Sequence, residues 1–193
     1  MLPEHEASVH AWRNLWQHLP TCGGRICQQF QADLDRYAQV IAELRPPWIL
    51  ETGVAAGGTA LFLADQAVWY GGRVIAVDVN PSGIYHPAVT LITGDSASRH
   101  VADVILAATA GRAGMVLLDS DHSSVHVAAE LALYAPLASY LVVEDTIMEH
   151  LPEHAADGPH VALAGWLPGH PEFVPDPDPA PTQHPGGWLR RAG

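Results

Sequence analysis

The chain has no lysine. Its nine basic residues are all arginine, set against 21 Asp and Glu, for a formal charge of −12. Phosphate backbones and anionic lipid demand cationic surface, so neither nucleic acid nor membrane is expected as a partner. Cysteine is nearly absent too. Cys22 and Cys27 could close a small loop, but reduced thiols in a cytoplasmic protein are the simpler reading. No run of ~20 apolar residues occurs, which excludes a helical membrane span. The opening residues carry acids and histidines, not a basic segment followed by an apolar one, which argues against a secretory signal.

What is present suits one α/β domain: 193 residues, 48% of them hydrophobic. Residues 1–28 are polar and weakly patterned, and read as an N-terminal arm or lid; residues 29–193 read as the domain proper. Within 29–45, apolar residues at 30, 34, 37, 40, 41 and 44 follow a helical period, which Pro46-Pro47 stops. Strands are then expected at 48–53, 73–79, 89–96, 115–121 and 139–145, with helices at 57–69, 97–110 and 123–135. Near-continuous apolar strands between helices imply a mostly parallel sheet covered on both faces. The tail from 146 holds nine of the 16 prolines, with VALAGWL as one more short helix and GGWLRR as a last strand. Six tryptophans in a short chain suggest a homo-oligomer that buries some of them.

The strands end in acids: Glu51, Asp78, Asp95, Asp119 and Glu144-Asp145. Ligands of such sheets bind at the carboxyl ends of the strands. In ETGVAAGGTA, Gly53 permits a tight strand-to-helix turn, and Gly57 and Gly58 allow close backbone approach. The spacing is not the dinucleotide fingerprint, which argues against a nicotinamide oxidoreductase. Glu51 at the turn would repel a pyrophosphate but receive a cationic ligand. S-adenosylmethionine (SAM), with its sulfonium and ammonium, suits. Asp78, ending the next strand, is placed to reach the ribose hydroxyls. Thr52, Val79, Asp95, Ser96 and Asp119 complete the candidate cofactor set.

In LLDSDHSSVH (117–126) and VVED (142–145), the acids of two neighbouring strands would crowd together. Each carboxylate raises the cost of ionising the next, and a divalent cation resolves this. Oxygen ligands suit Mg²⁺, Mn²⁺ or Ca²⁺, with Asp119, Asp121, Glu144 and Asp145 as candidates. His122 and His126, four apart, also permit a zinc reading. Asp121 or Ser123 could instead cap the following helix.

With these residues in hand, the chain resembles the cephalosporin hydroxylase family. The likeness lies in residues 33–65, 117–137 and 140–146, and in the tail pieces DGPHVALAGWL (157–167), HPEF (170–173) and HPGGWLRR (184–191). That resemblance implies the Rossmann-like class I methyltransferase fold, with likeness to macrocin and rhamnosyl O-methyltransferases. It implies SAM at the glycine loop and Asp78, a Mg²⁺-like ion on the strand-four acid and the Glu-Asp pair, and His122, three residues after Asp119, as base. The expected reaction is O-methylation of a small hydroxylated acceptor, as in antibiotic biosynthesis. The alternative is a non-methylating SAM-binding protein of the same fold.

Overall fold

The computed structural model describes residues 3–17, 19–81, 83–112 and 114–192. Of the expected arm, residues 1, 2 and 18 lie outside them. A seven-stranded sheet forms the centre, built from β3 (Trp48–Thr52), β4 (Arg73–Asp78), β5 (Val89–Thr93), β6 (Gly114–Leu118), β7 (Ala138–Val143), β8 (Phe173–Pro175) and β9 (Trp188–Arg191). The order is β5-β4-β3-β6-β7-β9-β8. The first five strands run parallel; β9 lies antiparallel to both β7 and β8.

Helices cover both faces, as the unbroken apolar strands require. On one side, α2 (Gln31–Leu44) and α3 (Gly58–Ala67) bury Leu34, Val40, Ile41 and Leu63 against Ile49, Val74 and Met115. On the other, α4 (Arg99–Thr109), α5 (Ser124–Tyr134) and α6 (Pro159–Trp166) bury Val101, Ile105, Leu131 and Leu163 against Leu50, Ile75 and Leu141. Arg45 closes α2 in the left-handed conformation just before the two prolines. Among the described residues, no helix is long and apolar enough to cross a membrane.

The arm forms structure of its own. Helix α1 (Pro3–Arg13) packs Val9 and Trp12 on Ile147, Met148 and Leu151. A hairpin of β1 (Thr21–Cys22) and β2 (Arg25–Ile26) lies on α3. The arm therefore rests at the carboxyl edge of the sheet. Cys22 and Cys27 are free thiols, and burial pushes both up to about 11.

Candidate active site

Two adjoining cavities open at the carboxyl ends of the parallel strands. The larger, about 490 Å³, is lined by Gly53, Asp78, Val79, Asp95, Ser96, Ser120, Asp121 and His126, among others. The smaller, about 320 Å³, is bounded by Asp119, His122 and Asp145 below, and by Trp12, Leu15 and Met148 from the arm side. Gly53, Asp78 and Ser120 line both. Of the expected residues, Gly53, Asp78, Val79, Asp95, Ser96, Asp119, Asp121 and Asp145 thus line these cavities, at the place where the sheet order reverses.

Gly53 lies between them because nothing larger fits. It follows β3 at φ +82, and an added Cβ would stand 1.8 Å from the Asp119 carbonyl oxygen. Asp78 shapes the glycine loop directly. Its Oδ2 accepts the N–H groups of Val54 (2.8 Å) and Ala55 (3.1 Å), and Oδ1 accepts that of Asn80. Burial works to raise its pKa, but these three donors outweigh burial and hold the carboxylate low. Gly57 and Gly58 meet protein where ligand approach was expected. A Cβ at Gly57 would lie 2.3 Å from Ile84 Cγ2, and one at Gly58 2.3 Å from the Ile26 carbonyl oxygen. The close approach is that of the β4–β5 connection at Gly57 and of the hairpin at Gly58. Thr52 is likewise buried behind the cleft, its Oγ1 accepting the Asp119 N–H at 3.3 Å.

Glu51 is buried at the edge of a small cavity also bounded by Gly53, Ala55, Thr59 and Asp119. Its Oε2 has no hydrogen-bond partner among the described residues. Burial, then the charges of Glu144 and Asp78, drive its pKa well up. A buried carboxylate oxygen left open in this way fits a cationic ligand.

The acid cluster forms because β6 and β7 pair in parallel, Leu118 opposite Val143. Asp119, His122 and Asp145 each offer a ligand atom within 4.8 Å of the others. His122 Nε2 stands 3.3 Å from Asp119 Oδ1 and 3.2 Å from Asp145 Oδ2. Glu144 joins from behind, fully buried. Gln29 Nε2 donates to its Oε2 at 2.5 Å and lies 3.5 Å from Asp119 Oδ2. Tyr37 donates to its Oε1 at 2.8 Å. Burial and then mutual repulsion push Asp119 and Glu144 well up; burial lifts Asp145 to about 6, with His122 working against it. Asp119 and Asp145, held beside His122 at this cost, fit a divalent cation by the chemistry of their oxygens, while both oxygens of Glu144 are taken by Gln29 and Tyr37.

Asp121 is not brought into this group. Strand β6 ends at Leu118, so the pleat that would carry it beside Asp119 stops short of it. Its Oδ1 instead accepts the Ser123 N–H at 2.8 Å, and that bonding lowers its pKa. Ser123 caps α5 as the alternative reading expected. His126 is also outside the group that converges on Asp119 and Asp145: its Nε2 lies 3.1 Å from Ser96 Oγ, 3.0 Å from Ser120 Oγ and 3.7 Å from Glu130 Oε1, which removes the paired-histidine zinc reading. Sequence reasoning missed Gln29, Tyr37 and His184. Tyr37 reads as one more apolar position of α2, and Gln29 as an ordinary helix-start polar. His184 stands in HPGGWLRR with nothing nearby to show its target, because the hydrogen bonds of its ring reach residues 39 to 155 away in sequence.

Comparison with known proteins agrees with this geometry. Residues 14–192 match the family described as Rhamnosyl O-methyltransferase/CmcI. The chain is 31% identical over 179 residues to a rhamnosyl O-methyltransferase of Mycobacterium tuberculosis, covering 86% of this chain and 69% of that protein. Its fold is similar to that of CmcI solved with Mg and SAM (TM-score 0.64, 21% identity, 90% of this chain and 77% of that one). It is also similar to MycE, a methyltransferase from the mycinamycin biosynthetic pathway solved with Mg, SAH and mycinamycin VI (TM-score 0.57, 19% identity, 77% and 43%). The architecture is that of the Rossmann-like class I methyltransferases. The chain belongs to the rhamnosyl O-methyltransferase/CmcI family and is a methyltransferase.

Proposed function

We propose that this protein methylates a hydroxyl of a small natural-product acceptor, taking the methyl group from SAM with a divalent ion, Mg²⁺ or a similar Mn²⁺ or Ca²⁺, at the acid cluster. The observation that carries the reading is the convergence of Asp119, His122 and Asp145 in a cavity that opens onto the cleft of Asp78, Asp95 and Ser96. Gly53, Asp78, Val79, Asp95 and Ser96 would line the cofactor, with Glu51 facing its cationic end. Asp119 and Asp145 would hold the ion, with Glu144 fully buried behind them. A bound divalent ion would neutralise the acids and lower the cost of ionising the acceptor hydroxyl, and SAM would supply the methyl as a sulfonium. His122 takes the acceptor proton at Nε2, the nitrogen that faces the two carboxylates. Trp12, Leu15 and Met148 make an apolar roof that excludes water and gives the 1–28 arm its role as lid.

The reading places the protein in the cytoplasm, where its free thiols stay reduced, without nucleic-acid or membrane partners. Trp69, 89% exposed beside Val68, supports self-association. Antibiotic or related secondary metabolism is the proposed setting, and rhamnosyl hydroxyls, by the relatives' name, are the first acceptors to test.

The test is transfer of labelled methyl from SAM to such acceptors with and without EDTA. Chelation should abolish transfer yet leave SAM affinity within a few-fold, and His122→Ala should abolish transfer with metal present. Full turnover in excess EDTA would refute the catalytic ion.

A further inference from the structure

His184 is completely buried beside the acid cluster, and the mechanism above gives it no part. Its two nitrogens face different groups. Nδ1 accepts the backbone N–H of Asp145 at 2.9 Å. A backbone N–H can only donate, so Nδ1 is unprotonated and the neutral ring carries its proton on Nε2. Nε2 lies 3.0 Å from Tyr37 Oη and 3.1 Å from Gln29 Oε1, the two residues that donate to Glu144.

The peptide it holds is unusual. Asp145 stands two residues past the end of β7 in the left-handed conformation, φ +56, where the chain turns into a 3₁₀ turn at Thr146–His150. Its N–H therefore has no strand partner. The neighbouring tail residues grip the same turn: the Ile147 N–H donates to the Gln183 carbonyl at 3.0 Å, and Thr146 Oγ1 to the Pro185 carbonyl at 2.9 Å. Gln183 Oε1 also accepts the Phe30 N–H at 2.8 Å, which fixes the segment that carries Gln29.

We propose that His184 is a positioning residue whose Nδ1 locks the Asp145 peptide so that the Asp145 and Asp119 carboxylates converge on one divalent ion. This rests on the reading of the acid cluster as a metal site. A purely packing role would be served by any ring of similar size. A positioning role requires an acceptor at one point in space.

Two conservative variants separate the edges of the ring. Asn places its Oδ1 two bonds from Cβ, as Nδ1 is, and keeps the acceptor. Gln places its amide three bonds from Cβ, as Nε2 is, and keeps only the contact to Tyr37 and Gln29. The probe is Mn²⁺, followed by its paramagnetic resonance signal in the full chain. His184→Asn should bind Mn²⁺ within about threefold of the unsubstituted protein, whereas His184→Gln and His184→Phe should lose ~10–100-fold. SAM affinity should change little in all three. Wild-type affinity in His184→Gln, or a loss in His184→Asn equal to that in His184→Phe, would overturn the proposal. Nitrogen NMR of the unsubstituted protein checks it without any variant: the His184 proton must reside on Nε2, and a proton on Nδ1 would overturn it as well. If the unsubstituted protein takes up no Mn²⁺, the metal reading itself falls. That outcome is distinct from a failure confined to the variants.

Discussion

Glu51 shows how a residue can work against the fold and for the ligand. Its carboxylate is buried, one oxygen lacks a partner among the described residues, and two other acids repel it. Charge in such a place opposes folding. The same open oxygen, at the edge of the small cavity it shares with Gly53, is what a cationic ligand needs. Glu51→Gln keeps the shape and removes the charge, so stability and binding should move in opposite directions. The unfolding midpoint should hold or rise, while calorimetric titration should show SAM affinity weakened by about 1.5–3 kcal/mol, the loss expected for a charged hydrogen bond. Unchanged affinity would remove Glu51 from the cofactor site.

At the level of elements, much of the design could be read directly. Five strand positions follow from apolar runs ending in acids, because a strand buried on both faces tolerates polar residues only where it emerges. The pairing of β6 with β7, and with it the meeting of Asp119 with Asp145, follows from that reading. The edge strand β5 was harder to bound. It was expected at 89–96 and ends at Thr93, since its residues are only partly covered and carry no sharp hydrophobic boundary. Strand β8 has three residues, one of them proline, and the β1–β2 strands have two each, too short for any period. The glycine pair was legible as a requirement for space but not as to what fills it. Gly58 faces hairpin backbone, with the Ile26 carbonyl and Cys27 N–H inside contact distance of any side chain. Gly58→Ala must lift the hairpin off α3. It should cost about 1–3 kcal/mol, measured by denaturant unfolding. It should also weaken Mn²⁺ binding, because the chain from Cys27 leads straight to Gln29. An alanine variant as stable as the parent would show that the hairpin is free to move.

Across the whole molecule, the acids outnumber the bases and several of the acids are buried together, so pH and cation should act on stability in opposition. Burial raises Asp33 to about 7, against hydrogen bonds from Thr182 and Gln183; Glu51, Asp119 and Glu144 are also raised. A carboxyl group whose folded pKa is raised binds protons more tightly in the folded state. Its contribution is therefore full below the unfolded value of about 4 and is lost as pH climbs through the folded value. His184 has the opposite sign. Its folded pKa is depressed to about 3, so it favours the fold increasingly as pH rises to about 6.5, and then adds no further slope. Above about pH 6.5 the acids thus act unopposed, and the measurement takes the window from about pH 6.5 to about 8.5. In EDTA and without cofactor, the unfolding temperature should fall across that window, by on the order of 5 °C. A divalent ion competes with the protons for the same oxygens and binds only the folded cluster, so millimolar Mg²⁺ should raise the midpoint and flatten the slope, most at the alkaline end. An ion-free midpoint that climbs from pH 6.5 to 8.5 would mean the buried acids are ionised and neutralised within the fold itself. A slope untouched by Mg²⁺ would mean that these carboxylates do not share a cation.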